Sequence, residues 1–191
     1  MSTARRTIEV AEEVASLLQA EGAKVAVIGA MALAAHGYVR RTDDFDLATA
    51  TDPFGALRRV RDALSARGHE VELREPDMED PLGGVLVVEA EGASPIEVVN
   101  FLNPFAPRRG RLGSEAVSTA TPFEEGALPV VDLPHLIALK LYAGGPKSEL
   151  DVLEVLACNP AADLVAVRQM CERFGLSDEW QRIESLRGFR G

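Results

Sequence analysis

The sequence predicts an α+β fold, a small mixed β-sheet flanked by helices and followed by a C-terminal helical segment. Three observations predict it. Short runs rich in Val, Ile and Phe ("KVAVIG", "DFDLAT", "GVLVVEA", "PIEVVNFL") are bounded by Gly, Pro, Asn or Asp, as strands are. Apolar residues recur at helical spacing before, between and after these runs. Of the 191 residues, 47% are hydrophobic and 26% charged, enough for a real core in one domain or one domain plus a small appendage.

The elements follow in order. Ile8, Ala11, Val14, Ala15, Leu17 and Leu18 mark an amphipathic helix that stops near Gly22. "KVAVIG" reads as a buried strand ending in Gly29, and Ala30 to His36 as a short apolar helix closed by Gly37. After a polar connection, "DFDLAT" has a period of two, with Asp44 and Asp46 on one side and Phe45 and Leu47 on the other. Asp52 and Pro53 read as the N-cap and first-turn proline of a helix running to Ala66. "HEVEL" is a candidate strand, and "GVLVVEA" and "PIEVVNFL" a strand pair turning between Gly92 and Pro95. Arg108 to Phe123 has no clear period and receives no assignment. "ALPVV" is a short strand before Asp132, which caps the helix "LPHLIALKLYA". Helices near Ser148–Cys158, Ala161–Phe174 and Ser177–Arg187 complete the chain. The expected division is a core of residues 1–131 and a helical segment of residues 132–191 packed on it.

Composition excludes several functions. A formal net charge of −10 disfavours wholesale binding to nucleic acid or anionic membrane. The basic runs Arg40-Arg41, Arg58-Arg59 with Arg61, and Arg108-Arg109 with Arg111 read as solvated surface. Two cysteines, Cys158 and Cys171, fit neither a zinc spacing nor a disulfide framework, and read as buried reduced thiols. His36 reads as structural, and three scattered histidines build no zinc site. The N-terminus has basic residues but no apolar signal-peptide region, and the longest uncharged apolar run, Val25 to Ala35, is too short to span a bilayer. The expected location is the cytoplasm, with no membrane partner.

The chemistry concentrates around the "DFD" strand. Residues i and i+2 on one face of a strand lie about 7 Å apart, so Asp44 and Asp46 can converge on one cation while Phe45 and Leu47 enter the core. Two adjacent carboxylates repel unless a positive charge lies between them. Mg²⁺ prefers oxygen ligands, typically one or two carboxylates plus substrate phosphates. Asp43 is out of phase and is expected to face solvent. Glu97, the only charged residue between Ile96 and Phe105, is costly in a core strand unless paired or metal-bound. Beside the "DFD" strand it would complete a three-carboxylate cluster able to hold two Mg²⁺ ions. Gly29 and Ala30, where a strand turns into a helix, allow close backbone approach and offer free N–H groups to a phosphate. Lys147 and Asp151, at i and i+4, read as a helical ion pair, and Lys140 as a lysine extending out of an apolar helix.

"VIGAMALAAHGYVRRTDDFDLA" resembles the signature of the polymerase-beta-like nucleotidyltransferase superfamily: a glycine and a small residue, then a D-x-D strand, then a third acid on a later strand. The nearer resemblance is to its small bacterial AbiEii/MenT-like branch, where an R-x-T-x-D-x-D run is typical; here Arg40 or Arg41, Thr42, Asp44 and Asp46 supply it. "DLPHLIALKLYAGGPKSELDVLEVL" is similar to that branch's downstream segment, a lysine followed by an aspartate on the next helix. The likeness spans Val25 to Leu156. It implies a nucleotidyltransferase fold and an enzyme moving an NMP from an NTP, ATP among them, to an acceptor. That acceptor would be an RNA end (tRNA included), a protein hydroxyl or a small molecule. It further implies Mg²⁺ (or Mn²⁺) on Asp44, Asp46 and Glu97, with Glu97 helping to deprotonate the acceptor. Gly29, Ala30, Arg41, Thr42 and Lys140 would bind the nucleotide. Several members of the branch are toxins of toxin–antitoxin pairs, which adds an antitoxin protein as a partner. Many superfamily members carry serine where Ala30 stands. That departure favours the alternative, a catalytically lapsed module that binds a nucleotide or a protein without turnover.

Overall fold

The computed structural model describes residues 2–106, 110–123 and 127–188; Arg108 and Arg109 of the third basic run lie outside them. In chain order the elements are α1 (Thr3–Ala20), β1 (Val25–Val27), α2 (Gly29–Ala35), β2 (Phe45–Thr49), α3 (Ala56–Ala66), β3 (Glu70–Arg74), β4 (Val85–Glu89), β5 (Ile96–Asn100), α4 (Arg111–Thr119), β6 (Thr121–Pro122), β7 (Pro129–Val130), α5 (Leu133–Ala143), α6 (Gly145–Cys158), α7 (Leu164–Arg173) and α8 (Ser177–Gly188). The seven strands form one mixed sheet in the order β3-β4-β5-β2-β1-β7-β6. β2 pairs antiparallel with β1 and parallel with β5. No helix among the described residues is long and apolar enough to cross a membrane.

Alternation along the strands divides the core. Val25 and Val27 of β1, Phe45 and Leu47 of β2, Leu86 and Val88 of β4, and Ile96 and Val98 of β5 bury one sheet face against α1 and α3. The other face, through Ala26 and Ala48, packs with Leu33 of α2, Leu136 and Ile137 of α5, and side chains of α4 and α6–α8. The small alanines let α2 and α5 come down onto the sheet, and these helices frame the site.

Three expectations are corrected and one unassigned stretch is filled. Ile8 lies off the buried stripe of α1 and is 45% exposed. Asp52 accepts a hydrogen bond from the Phe54 N–H, two residues on, so it closes an Asx turn; α3 starts only at Ala56. The unassigned stretch before Phe123 contains α4 and β6. α4 escaped notice because its buried stripe contains Gly113, where a Cβ would stand 2.1 Å from the Phe101 ring. Cys158 is exposed, and only Cys171 is buried, where burial pushes its thiol up to about 11.

Asn100 ties the end of β5 to its surroundings. Its amide donates to the Thr51 and Gly83 carbonyls, both at 2.9 Å, and its oxygen accepts from the N–H groups of Thr51 and Leu102. The side chain is fully buried. Asn100→Ala should lower unfolding free energy in urea by about 2 kcal/mol or more, because buried backbone groups lose their partners.

Candidate functional site

Parallel pairing of β2 with β5 sets Asp46 directly opposite Glu97. Residues opposite one another share a sheet face, so both carboxylates emerge on the side where α2 and α5 lie. Asp44, in the turn before β2, completes the group: one carboxylate oxygen from each of Asp44, Asp46 and Glu97 lies within 4.8 Å of the others. All three are half-buried. Thr42 holds Asp44 by donating its hydroxyl proton to Oδ1 at 2.5 Å.

Gly29 and Ala30 support the same cluster. Gly29 has φ +61°, and a Cβ there would meet the Asp46 carboxylate oxygen at 1.7 Å, so only glycine leaves that carboxylate its place. The Ala30 N–H donates a hydrogen bond to Asp46. Burial pushes the Asp46 carboxyl up to about 6; Asp44 and Glu97 push the same way, while Lys140 and the Ala30 N–H oppose them. An oxygen cluster that repels its own ionisation suits a hard divalent cation, whose charge would reverse the effect. Asp44, Asp46 and Glu97 would hold it.

Lys140 reaches the site from α5 but is not free. Its ammonium donates to Asp151 Oδ2 at 2.8 Å, and Asp151 also receives the Arg40 guanidinium at 2.8 and 3.1 Å. Asp151 is 1% exposed, so this three-residue network is built into the junction of α5, α6 and the loop before β2. Burial raises the Asp151 carboxyl, but Lys140 and Arg40 outweigh it and hold it below the usual carboxylate range. The expected Lys147–Asp151 pair is therefore replaced by Lys140–Asp151. Arg41 points away, its side chain 92% exposed, 3.7 Å from the equally exposed Asp43. The sequence resemblance offers Arg40 as one of two arginines of the R-x-T-x-D-x-D run and an aspartate after the lysine of the downstream segment, but assigns neither Arg40 nor Asp151 a role at the site. The available signal was Asp151 itself, an acid in the apolar stripe of Val152, Leu153, Val155 and Leu156.

Two hollows meet at the carboxylates. The larger, about 410 Å³, has Asp46, Gly29 and Lys140 at one part of its wall and apolar side chains such as Leu136, Leu139 and Phe101 elsewhere. The smaller, about 190 Å³, is lined by Glu97 with Glu72, Arg74, Val85 and Val87 on the open face of β3–β5. The triad thus has one cavity on its Asp46 side and another on its Glu97 side.

Solved structures share this architecture. The antibiotic-resistance factor ANT(2'')-Ia matches over 100% of this chain and 98% of its own at 14% identity, with a TM-score of 0.54. A nucleotidyltransferase-like antigenic protein from Paracoccidioides brasiliensis matches over 96% of this chain and 93% of its own, also at 14% identity and a TM-score of 0.54. The fold is a nucleotidyltransferase fold. A further structure of ANT(2'')-Ia, in complex with adenylyl-2''-tobramycin, gives a TM-score of 0.51 at 11% identity over 87% of this chain and 95% of its own. No family model and no curated protein matches the sequence.

Two outcomes are expected. Asp46 binds its proton more tightly folded, near 6, than unfolded, at 3.8. Its stabilising contribution is complete below the unfolded value and is lost as pH rises through 6. In metal-free protein Asp46→Asn should raise stability at neutral pH by up to about 3 kcal/mol, a gap that closes toward pH ~4 in thermal melts. Asp151→Ala should cost about 3 kcal/mol in urea unfolding, because Arg40 and Lys140 are left largely buried and unpaired.

Proposed function

We propose that this chain is a divalent-cation-dependent nucleotidyltransferase. The observation that carries the reading is the three-carboxylate cluster lying between two cavities, one suited to a nucleotide and one open to an acceptor. The likeness to nucleotidyltransferase folds supports it.

In this reading the NTP lies in the larger cavity, its phosphates toward Gly29 and Lys140 and its α-phosphorus beside Asp46. The acceptor hydroxyl enters from the Glu97 side. Glu97 takes its proton as the oxygen attacks the α-phosphorus in line, the bond to the β-phosphate oxygen breaks, and pyrophosphate leaves. A bound divalent cation would neutralise charge developing on the phosphates. Thr42 orients Asp44, and Lys140, held by Asp151, meets phosphate charge without swinging onto Asp46. Arg41 is solvated here and would meet the nucleotide only at the outer edge of the site. Mg²⁺ is the proposed ion, with Mn²⁺ as a substitute.

The sequence resemblance to the AbiEii/MenT-like branch supports a finer proposal: a toxin of a toxin–antitoxin pair, acting in the cytoplasm on an RNA end, a protein hydroxyl or a small molecule. A second reading, nucleotide binding without turnover, is favoured by one observation: Ala30 has no hydroxyl and its N–H is engaged by Asp46.

The test pairs binding with turnover. With Mg²⁺ and an NTP, wild type should show a thermal shift and label transfer from the α-phosphate to an acceptor pool. Asp44→Asn should lose transfer about a hundredfold or more while remaining folded. Transfer that survives the substitution would remove the assigned mechanism, and a shift without transfer would favour the binding module.

A further inference from the structure

Beyond the triad, the larger cavity carries a second polar feature. Besides α5, its wall includes the segment Asp80, Pro81 and Leu82, between β3 and β4. The wall is fixed from behind: the fully buried Asn103 donates its amide protons to the Asp77 and Asp80 carbonyls, at 2.9 and 2.7 Å. Asp77 accepts from the Glu79 and Asp80 N–H groups, and Asp80 Oδ1 accepts from Leu82 N–H at 2.8 Å. Gly83 N–H bonds the Asn100 carbonyl, which anchors the segment at the far end of β5 from Glu97. Those positions lie three steps apart along the strand, a distance of roughly 10 Å.

The cavity lining carries Lys140 and Asp46 of the carboxylate site and, on the segment between β3 and β4, a further acid, Asp80. With a cation held by the three carboxylates, that cation and Lys140 attract a triphosphate while Asp80 repels it, which sets a nucleotide with its base toward Asp80. Between them, Leu136, Leu139 and Ala143 of α5 share one helical face, and with Pro81 and Leu82 they make an apolar slot for a planar ring.

We propose that this rigid wall is the nucleobase subsite and that Asp80 selects guanine; the inference rests on the site's reading as a nucleoside-triphosphate site. A carboxylate only accepts hydrogen bonds. Guanine alone presents two neighbouring donors on its pairing edge, N1–H and the N2 amino group, which match a carboxylate in bidentate fashion. Adenine and cytosine place a ring-nitrogen lone pair beside their amino group, and uracil flanks its single N–H with two carbonyl oxygens. Each of the three sets a lone pair against the Asp80 charge.

The experiment measures binding of the α,β-methylene analogues of GTP, ATP, CTP and UTP, and of tripolyphosphate, to the full chain with Mg²⁺ by calorimetry. The GTP analogue should bind about tenfold or more tighter than the other three. In Asp80→Asn, which keeps the acceptor for Leu82 N–H, that preference should vanish while tripolyphosphate binds as in wild type. Four analogues that bind alike, or a guanine preference that survives Asp80→Asn, would overturn the base assignment and leave the nucleotide site standing. Wild type that binds none of the analogues and no tripolyphosphate would overturn both.

Discussion

The register of the β2–β5 pair is the constraint on which the rest depends. It forces Asp46 and Glu97 side by side on one face of a buried parallel strand pair, with Asp44 a turn away. Like charges at such spacing raise one another's energy, and partial burial amplifies the effect. The surroundings answer it without cancelling it. Glycine at 29 removes the side chain that would displace Asp46, the Ala30 N–H supplies one hydrogen bond, and Lys140 contributes potential from α5. What remains is a carboxyl still raised to about 6, first by burial and then by its acidic neighbours, a cost that the protein keeps and a cation would relieve.

That cost is tolerable because the alternating side chains of the same strands enter an apolar core on the opposite face. Phe45 and Leu47, which alternate with the acids, pack against α1 and α3 together with Ile96 and Val98. Each strand therefore anchors itself on one side and presents chemistry on the other. The functional face is covered by helices only at its β1–β2 half. Val99 of β5 faces the larger cavity together with α5, while Glu72, Arg74, Val87 and Glu97 of β3–β5 border the smaller one, and this asymmetry sets a cavity on each side of the carboxylates.

Locally coded features were legible in the sequence, and features made by distant contacts were not. The alternation in "DFDLAT" and the glycine turn at Gly29 carry their own period or dihedral requirement, and the structure reproduces both. Glu97 stood out as a lone charge in an apolar strand, and the observed register gives it the expected neighbours. Arg40 with Asp151, by contrast, joins positions 111 residues apart, and Asn103 fastens a loop 23 to 26 residues upstream. Such bonds impose no periodicity on either segment, so from the residues alone Arg40 reads as surface charge and Asp151 as half of a helical pair, and only the family resemblance draws attention to both segments. Asp52 misled for the opposite reason: N-caps and Asx turns draw on the same side-chain chemistry, and only the partner N–H distinguishes them.

The Arg40–Asp151–Lys140 network explains how a lysine can serve a carboxylate site without quenching it. A free ammonium beside three carboxylates would pair with one of them and occupy the place of the cation. Asp151 prevents this by holding the Lys140 ammonium at 2.8 Å from a buried carboxylate already charged against Arg40. With two cations facing one anion, the network keeps net positive charge. It therefore retains an attraction for phosphate that a simple Lys–Asp pair would lack. Arg40 thus offsets the Asp151 charge that Lys140 would otherwise face alone, and its place two residues before Thr42 ties this network to the segment that holds Asp44.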